Sequence, residues 1–278
     1  MLAMIAKSII SGFREVLYEL IKSDLPLRRR LFRIFWRIHT VRKVVRAYRD
    51  KQNNAAYTPG GQAADIWTNG FKISEIEPAV LRALDIDKMA YVEDGDDVIY
   101  HGLDAVLQHK RPVTGIYRNI RPHLINQKIV DLAHTPSLRA VVEDYLGSTA
   151  TLVDSASWIT VPGDQTVNGF EFGFHRDIPD WKWLNVFVYL SDVSADKGPH
   201  GCVTGTHKKS HFSSFLERRC DDERLKKLYG PDSMKFFTGS YGTTIFEDTS
   251  AYHTARAVKS GHRHMLQLNF STSPKFIL

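Results

Sequence analysis

Residues 174–177 have the sequence Phe-His-Arg-Asp, and a second short motif, Tyr252-His253, follows far downstream. His175 and Asp177 are two positions apart, so on an extended strand both side chains leave the same face. His253 supplies a second imidazole. The pattern predicts that two imidazoles and one carboxylate bind one face of a metal ion and leave its other positions open.

This ligand set is the arrangement used by non-haem Fe(II) oxygenases. Two other interpretations fit the same residues. Zinc also accepts histidine and aspartate while keeping an open position, which would make the protein a hydrolase. Alternatively, His175 and His253 only pack in a β-sheet core, with their ring nitrogens hydrogen-bonded.

Arg263 lies ten residues beyond His253, and the intervening Lys-Ser-Gly-His stretch is a turn signal. We predict a two-strand hairpin that returns Arg263 to the side of the metal. A guanidinium in that position could bind a carboxylate through two parallel hydrogen bonds.

The composition is that of an ordinary soluble globular protein, with 278 residues, 43% hydrophobic and 24% charged. The net charge of +6 is unevenly spread, because residues 1–50 hold 12 Lys or Arg against 4 Asp or Glu. Cys202 and Cys220 form no disulfide framework and fit a reducing cytoplasm. The sequence has no recognisable signal peptide and no apolar run of membrane-spanning length.

Residues 1–50 are predicted to form a basic amphipathic helical segment, broken at Pro26. Its cations and Trp36 are typical of a helix lying on an anionic membrane, here the inner membrane surface. The alternative is that its apolar stripe packs on the main domain. Nucleic acid is excluded as a partner because the remaining chain is slightly acidic and has no recognition motif. Residues 51–61 are polar and rich in breakers, which predicts a linker.

Residues 62–278 are predicted to form the main domain, with a β core at about 149–272. Residues 76–110 have a mainly helical pattern and residues 111–121 an irregular one, whereas Thr135 and Gly147 bracket a helix. A charged helical insertion covers residues 212–229. The many short strands indicate an α+β protein with a jelly-roll core. The predicted strands are 149–153, 157–161, 184–190, 243–246, 251–257 and 263–271.

Three passages resemble the phytanoyl-CoA dioxygenase family of Fe(II)- and 2-oxoglutarate-dependent oxygenases. They are FHRD at 174–177, KGPHGCVTGTHKKS at 197–210 and YHTARAVKSGHR at 252–263. The resemblance covers about residues 150–272. It implies a double-stranded β-helix, which is a cupin-like variant of the jelly roll, with helices packed outside.

The resemblance makes His175, Asp177 and His253 the iron ligands and places them at the catalytic centre. Arg263 becomes the residue that binds the distal carboxylate of 2-oxoglutarate, and Phe187 the aromatic residue lining the cosubstrate pocket. The implied reaction hydroxylates an unactivated C–H bond of a small molecule, consumes O₂ and releases succinate and CO₂. An intact carboxylate at Asp177 favours hydroxylation over halogenation.

The sequence departs from the family pattern at Ala255, where a small hydroxyl residue is often found, and His207 lies in a motif that is structural in the family. Two competing hypotheses remain. One is a non-enzymatic jelly-roll module that keeps the metal for structure, and the other is a zinc hydrolase with the same ligands.

The substrate is expected to meet residues flanking the metal motif. Trp181 and Trp183 are two positions apart, so one strand face would present both as a stacking platform for a sugar or an acyl chain. The basic N-terminal helices favour a lipid or glycolipid substrate, such as a lipopolysaccharide sugar. The residues predicted to line the substrate mouth are Asn168, Phe172, Arg176, Trp181, Lys182, Trp183 and Arg256.

Overall fold

The computed structural model describes residues 60–95, 97–163, 173–177, 183–208 and 219–272. The helices in these ranges are α1 (Ala64–Asn69), α2 (Pro78–Arg82), α3 (Leu103–Leu107), α4 (Gln127–Ala133), α5 (Pro136–Leu146) and α6 (Asp222–Tyr229). The strands are β1 (Phe71–Glu75), β2 (Ala90–Glu93), β3 (Ile99–His101), β4 (Ile116–Ile120), β5 (Thr151–Thr160), β6 (Phe174–His175), β7 (Trp183–Tyr189), β8 (His200–Val203), β9 (Arg219–Cys220), β10 (Met234–Phe237), β11 (Thr243–Glu247), β12 (His253–Ala255) and β13 (Arg263–Ser271).

The strands form two sheets. The large sheet has the order β1-β11-β7-β13-β5-β4-β2-β3, and the small sheet has the order β10-β8-β12-β6-β9. All the strand pairs recorded within the described ranges are antiparallel. Two facing antiparallel sheets with helices outside are the predicted double-stranded β-helix of an α+β protein.

The outer face of the large sheet forms the main hydrophobic core with the helices. Val186 and Val188 of β7 and Leu266 and Leu268 of β13 are fully buried there. They pack with apolar residues of α1, α4 and α5, such as Val142 of α5. Because strand side chains alternate between faces, the residues between them must face the small sheet.

The inner face of the large sheet does face the small sheet. Phe187, Tyr189 and Met265 belong to a second buried cluster that also contains Cys202 of β8 and Phe237 of β10. The space between the two sheets is therefore the place where residues from distant parts of the chain meet.

The sequence patterns located several elements well. Strand β13 has the predicted bounds, β11 is one residue longer than predicted, and β7 is shifted by one residue at both ends. The helix predicted between Thr135 and Gly147 is α5, and Gly147 adopts the left-handed conformation (φ 67°) that ends many helices. Two predicted strands are instead joined in the single strand β5.

Other predictions were wrong. The stretch 76–110, predicted to be mainly helical, also contains β2 and β3, and the stretch 111–121, predicted to be irregular, contains β4. Strand β4 is paired on both sides, with β5 and β2. Sheet pairing decides the conformation of such short segments, whose local propensities are weak.

The hairpin predicted between His253 and Arg263 is also wrong. Strand β12 pairs with β6 and β8 in the small sheet, whereas β13 pairs with β5 and β7 in the large sheet. The Lys-Ser-Gly-His turn therefore connects the two sheets, as crossing connections do in jelly rolls.

Several predictions fall outside the described residues. They are the N-terminal helical segment at 1–50, nearly all of the linker and the first part of the insertion at 212–229, of which α6 is described. Across the stretches that the structure does describe, no helix combines the length and apolar character needed to cross a membrane.

Candidate metal centre

His175, Asp177 and His253 come together between the sheets. His175 of β6 lies directly opposite His253 of β12. The Nε2 atoms of His175 and His253 lie 3.9 Å and 3.7 Å from Oδ2 of Asp177. One candidate ligand atom from each residue lies within 4.8 Å of the other two, and this is the one such cluster found in the described ranges.

Backbone carbonyls orient both imidazoles. Nδ1 of His175 lies 3.0 Å from the carbonyl oxygen of Gly173, and Nδ1 of His253 lies 3.1 Å from that of Ala251. A carbonyl oxygen can only accept, so each Nδ1 donates its hydrogen, and in the neutral rings Nε2 keeps a free lone pair. Metal-bound histidines are fixed in this way by their second nitrogen, so the donor set fits a divalent metal ion.

The electrostatics of the two imidazoles differ. Burial, followed by the neighbouring His253, lowers the pKa of His175 to about 4. Burial also opposes protonation of His253, but the nearby carboxylates of Asp177 and Glu247 outweigh it and raise the pKa of His253. A metal ion at this position would replace that proton, because ligating imidazoles must be unprotonated.

A buried pair next to the candidate metal ligands was not found from the sequence. Nε2 of His200 lies 2.6 Å from Oε2 of Glu247, and both side chains are almost fully buried. Burial lowers the pKa of His200, so the neutral ring donates to the ionised carboxylate. The His200 ring centroid is 4.5 Å from that of Phe187 and 5.9 Å from that of His253. The hydrogen-bonded pair of His200 and Glu247 therefore packs beside the His253 ring.

Arg263 and Phe187 both lie on the inner face of the large sheet. The Arg263 side chain is buried, with Nη1 donating to the carbonyl oxygen of Gly198 and Nη2 lying 3.3 Å from Oγ1 of Thr160. Gly198 has φ +67°, and a Cβ there would lie 2.3 Å from the carbonyl oxygen of Arg256. A side chain at position 198 would therefore disturb the turn that holds Arg263.

The structure places two of the predicted substrate residues away from the three candidate metal ligands. Arg176 is 1% exposed, and its guanidinium lies 4.0 Å from the ring centroid of Tyr252. It alternates with His175 and Asp177, so its side chain leaves the opposite face of the chain. Arg256 pairs with Asp222 of α6 outside the small sheet. Neither residue joins the metal cluster.

Trp183 is the predicted substrate residue that the structure does place on the inner face, two positions from Asn185 and four from Phe187 on β7. Its predicted partner Trp181 and the predicted residue Asn168 lie outside the described residues, as do Phe172 and Lys182. The proposed tryptophan platform therefore remains a prediction.

Polar residues that the sequence did not reveal share the inner face of the large sheet with Trp183. Asn185 lies directly opposite Glu247 on one side and Asn269 on the other. Oδ1 of Asn185, Oδ1 of Asn269 and Nε1 of Trp183 are buried without a hydrogen-bond partner in the described part of the chain. The signal that could have found them is strand alternation, counted outward from Phe187.

Neither a protein-family model nor a curated protein matches the chain. Solved structures do match over most of its length. HygX from Streptomyces hygroscopicus, with nickel and 2-oxoglutarate bound, is 14% identical over 76% of this chain and 85% of its own, with a TM-score of 0.54. EctD from S. alaskensis, with 2-oxoglutarate and 5-hydroxyectoine, is 20% identical over 80% and 79%, with a TM-score of 0.54.

A third similar structure is SnoN, a non-haem α-ketoglutarate-dependent epimerase from nogalamycin biosynthesis. It is 15% identical over 75% of this chain and 79% of its own, with a TM-score of 0.54. At these identities the comparisons show the shared fold, a two-sheet β core with outer helices.

Proposed function

We propose that the protein is an Fe(II)- and 2-oxoglutarate-dependent dioxygenase of the phytanoyl-CoA dioxygenase type. It would hydroxylate an unactivated C–H bond of a small molecule, consume O₂ and release succinate and CO₂. The observation that carries the proposal is the convergence of His175, Asp177 and His253, with both Nε2 atoms within 4 Å of one carboxylate oxygen.

Each residue has a physical role in this proposal. The two imidazoles and Asp177 hold the metal on one face, which leaves positions for cosubstrate and O₂. Arg263, buried and cationic, neutralises the distal carboxylate of 2-oxoglutarate. Phe187 gives the cosubstrate an apolar wall. Bound iron with 2-oxoglutarate supplies the O₂ chemistry that oxidises the C–H bond, while the facing sheets exclude bulk water.

The structural neighbours support this class of chemistry. HygX was crystallised with 2-oxoglutarate and EctD with iron in one structure and 2-oxoglutarate in another. SnoN is an epimerase with a similar fold, so the fold alone does not select hydroxylation. The intact Asp177 carboxylate favours hydroxylation over halogenation, and the choice between hydroxylation and epimerisation rests on the test below.

The test is succinate formation by the full-length protein with Fe(II), 2-oxoglutarate and O₂, screened across lipid, sugar and amino-acid candidates. We expect succinate release that needs Fe(II) and rises with the right substrate. Hydrolysis with Zn(II), in the absence of O₂ and 2-oxoglutarate, would instead support the hydrolase. Tight metal binding with no turnover under any condition would support a binding module.

The substrate is proposed to be a lipid or glycolipid, met at an anionic membrane surface on the cytoplasmic side through residues 1–50. The concentration of 12 basic residues in that segment supports this proposal. The full-length protein should sediment with phosphatidylserine-containing liposomes and lose this binding when residues 1–50 are deleted. Failure of the full-length protein to bind such liposomes would refute the membrane proposal.

A further inference from the structure

We propose that the inner face of the large sheet carries a binding site for the hydroxyl-bearing ring of a saccharide. The site, called the polar shelf, consists of Trp183 and Asn185 of β7 and Gln267 and Asn269 of β13. The inference deepens the proposed function, on which it rests, by naming the chemistry presented to the metal.

Strand alternation places the polar shelf on the cleft side of the sheet. Phe187 is part of the inner cluster, and Trp183 and Asn185 share its face because they lie four and two positions before it. On β13, Gln267 lies opposite Phe187 and Asn269 lies opposite Asn185. The four side chains therefore form a continuous patch across two neighbouring strands.

The polar shelf adjoins the metal ligands. Nδ2 of Asn185 lies 3.4 Å from Oγ1 of Thr249, and the carbonyl oxygen of Thr249 accepts a 2.8 Å hydrogen bond from the backbone N–H of Asp177. On the neighbouring strand β11, Glu247 lies directly opposite Asn185. Glu247 is hydrogen-bonded to His200, and the His200 ring lies next to the His253 ring. Two independent chains of contacts thus connect Asn185 to the metal ligands.

The polar atoms of the polar shelf point to a ligand. Asn185 is 1% exposed, yet its Oδ1 has no hydrogen-bond partner in the described ranges, and the same holds for Nε1 of Trp183. Leaving a buried donor or acceptor unpaired destabilises the folded protein. An apolar residue would avoid that cost, so the amide and indole groups are explained by a ligand that pairs with them.

The donors and acceptors match a neutral polyol. Two amide oxygens accept from hydroxyl groups, the indole N–H and amide N–H groups donate to hydroxyl oxygens, and the indole face can pack on ring C–H groups. The four residues carry no charge. The neighbouring carboxylate of Asp154, opposite Asn269, has its charge balanced by Arg121, whose Nε lies 3.5 Å from Oδ1 of Asp154. An acyl chain at this position would leave the polar atoms unpaired.

Among the four residues of the polar shelf, Gln267 and Asn269 are the partly exposed ones. Both are half-buried, although β13 has a neighbouring strand on each side and its outward residues Leu266 and Leu268 are fully buried. The inner side of a central strand stays accessible only where the facing layer leaves a space. The polar shelf therefore borders an open part of the space between the two sheets.

The test is saturation-transfer NMR on the full-length protein with two probes, methyl β-glucopyranoside and octanoate. We expect saturation of the glucoside and little of octanoate, in the presence or absence of a metal. Replacing Zn(II) by paramagnetic Mn(II) should broaden the glucoside ring protons, because the polar shelf adjoins the metal ligands. Saturation of octanoate alone, or of neither probe, would overturn the proposal.

The Asn185→Leu variant separates binding from packing. Losing the amide should lower the affinity for the glucoside at least about fivefold, which is the effect expected from the loss of one hydrogen bond. The melting temperature should stay the same or rise. Asn269→Leu, at a half-buried position, should weaken binding in the same way and guards against a folding failure at position 185. Unchanged glucoside affinity in both variants would reject the polar shelf.

The matched control is Asn119→Leu. Asn119 is a buried amide on the outer face of β4, and its Nδ2 donates to the carbonyl oxygen of Ala90 at 2.8 Å. This variant should lower the melting temperature and leave glucoside affinity unchanged. A purely structural role for Asn185 would make its variant behave in the same way as this control.

Failure of the polar shelf and failure of the proposed function can be told apart. Binding of 2-oxoglutarate to the Fe(II) protein under anaerobic conditions produces a visible charge-transfer band that needs no saccharide. A band without glucoside binding would refute the polar shelf alone. Glucoside binding without a band would support the polar shelf and contradict the oxygenase.

Discussion

The two faces of strands β7 and β13 differ sharply although they are built from alternating residues of the same segments. The outer face presents Val186 and Leu268 to the helices, both fully buried. The inner face presents Asn185, Phe187 and Asn269 to the space between the sheets, where the three candidate metal ligands lie. The outer face therefore contributes mainly to stability and the inner face to binding. Substitutions on the outer face should change the free energy of unfolding, and substitutions on the inner face should change binding and turnover.

The largest effect is expected for Asp177→Ala, at the cleft. Asp177 is the sole carboxylate among the three candidate ligands. Removing it should lower the rate of succinate formation by at least about 1,000-fold, because the metal would lose a ligand. Because the Asp177 side chain is 34% exposed, the free energy of unfolding of the metal-free protein should barely change. The matched control is Asp232→Ala at an exposed turn, and turnover retained by Asp177→Ala would refute the ligand assignment.

On the outer face, Leu268→Ala should do the opposite. Truncating a fully buried leucine typically lowers the free energy of unfolding by about 2–5 kcal/mol. Urea unfolding measures this loss, and Val80→Ala, at a side chain that is 43% exposed, is the matched control. The affinity for 2-oxoglutarate should stay within about twofold of wild type; a loss as large as the stability change would mean that the two faces are not independent.

Arg263→Gln tests the cleft face of β13 itself. Loss of the charge should raise the KM for 2-oxoglutarate roughly 30-fold, about 2 kcal/mol, with a smaller effect on kcat. Arg263→Lys should recover only part of the loss, since an ammonium cannot form the paired hydrogen bonds. The exposed Arg82→Gln variant is the control. An unchanged KM in Arg263→Gln would remove this residue from the cosubstrate site.

The smallest effect concerns His264 on the outer face, whose ring contacts Tyr91 and Ser157. Burial lowers the pKa of His264 to about 3 from the usual 6.5. Between these values the unfolded chain binds a proton that the folded protein does not, so stability falls as the pH drops below 6.5. By pH 5 the loss from this residue should reach about 2 kcal/mol.

Urea unfolding at pH 7.5 and pH 5 checks this prediction. His264→Gln should be less stable than wild type at pH 7.5 because its hydrogen bonds change. It should nevertheless lose about 2 kcal/mol less on acidification. Equal pH dependence in the two proteins would show that His264 is not the titrating group.

The sequence predicted the fold class and the meeting of His175, Asp177 and His253, because the strand runs and the His-x-Asp pair are local signals and the family resemblance implied the distant His253 as the third ligand. The β-branched run of β13 and the His-x-Asp spacing are such signals. The sequence did not predict β4, whose conformation comes from pairing with β5 and β2. It placed Arg176 and Arg256 near the substrate by sequence distance, but both lie at odd offsets from a ligand and face outward. Glu247 and His200 meet only through the topology, so no local pattern could join them.

Strand β6 consists of two residues, and its link to β12 is the single pair of His175 with His253. A metal ion bound there would cross-link β6 and β12 within the small sheet, because its ligands would come from both strands. Binding to the folded form would stabilise it according to the free metal concentration. Chelation would therefore loosen the junction between β6 and β12, which is internal to the small sheet, and metal supply would govern the protein's resistance to proteolysis as well as the proposed turnover.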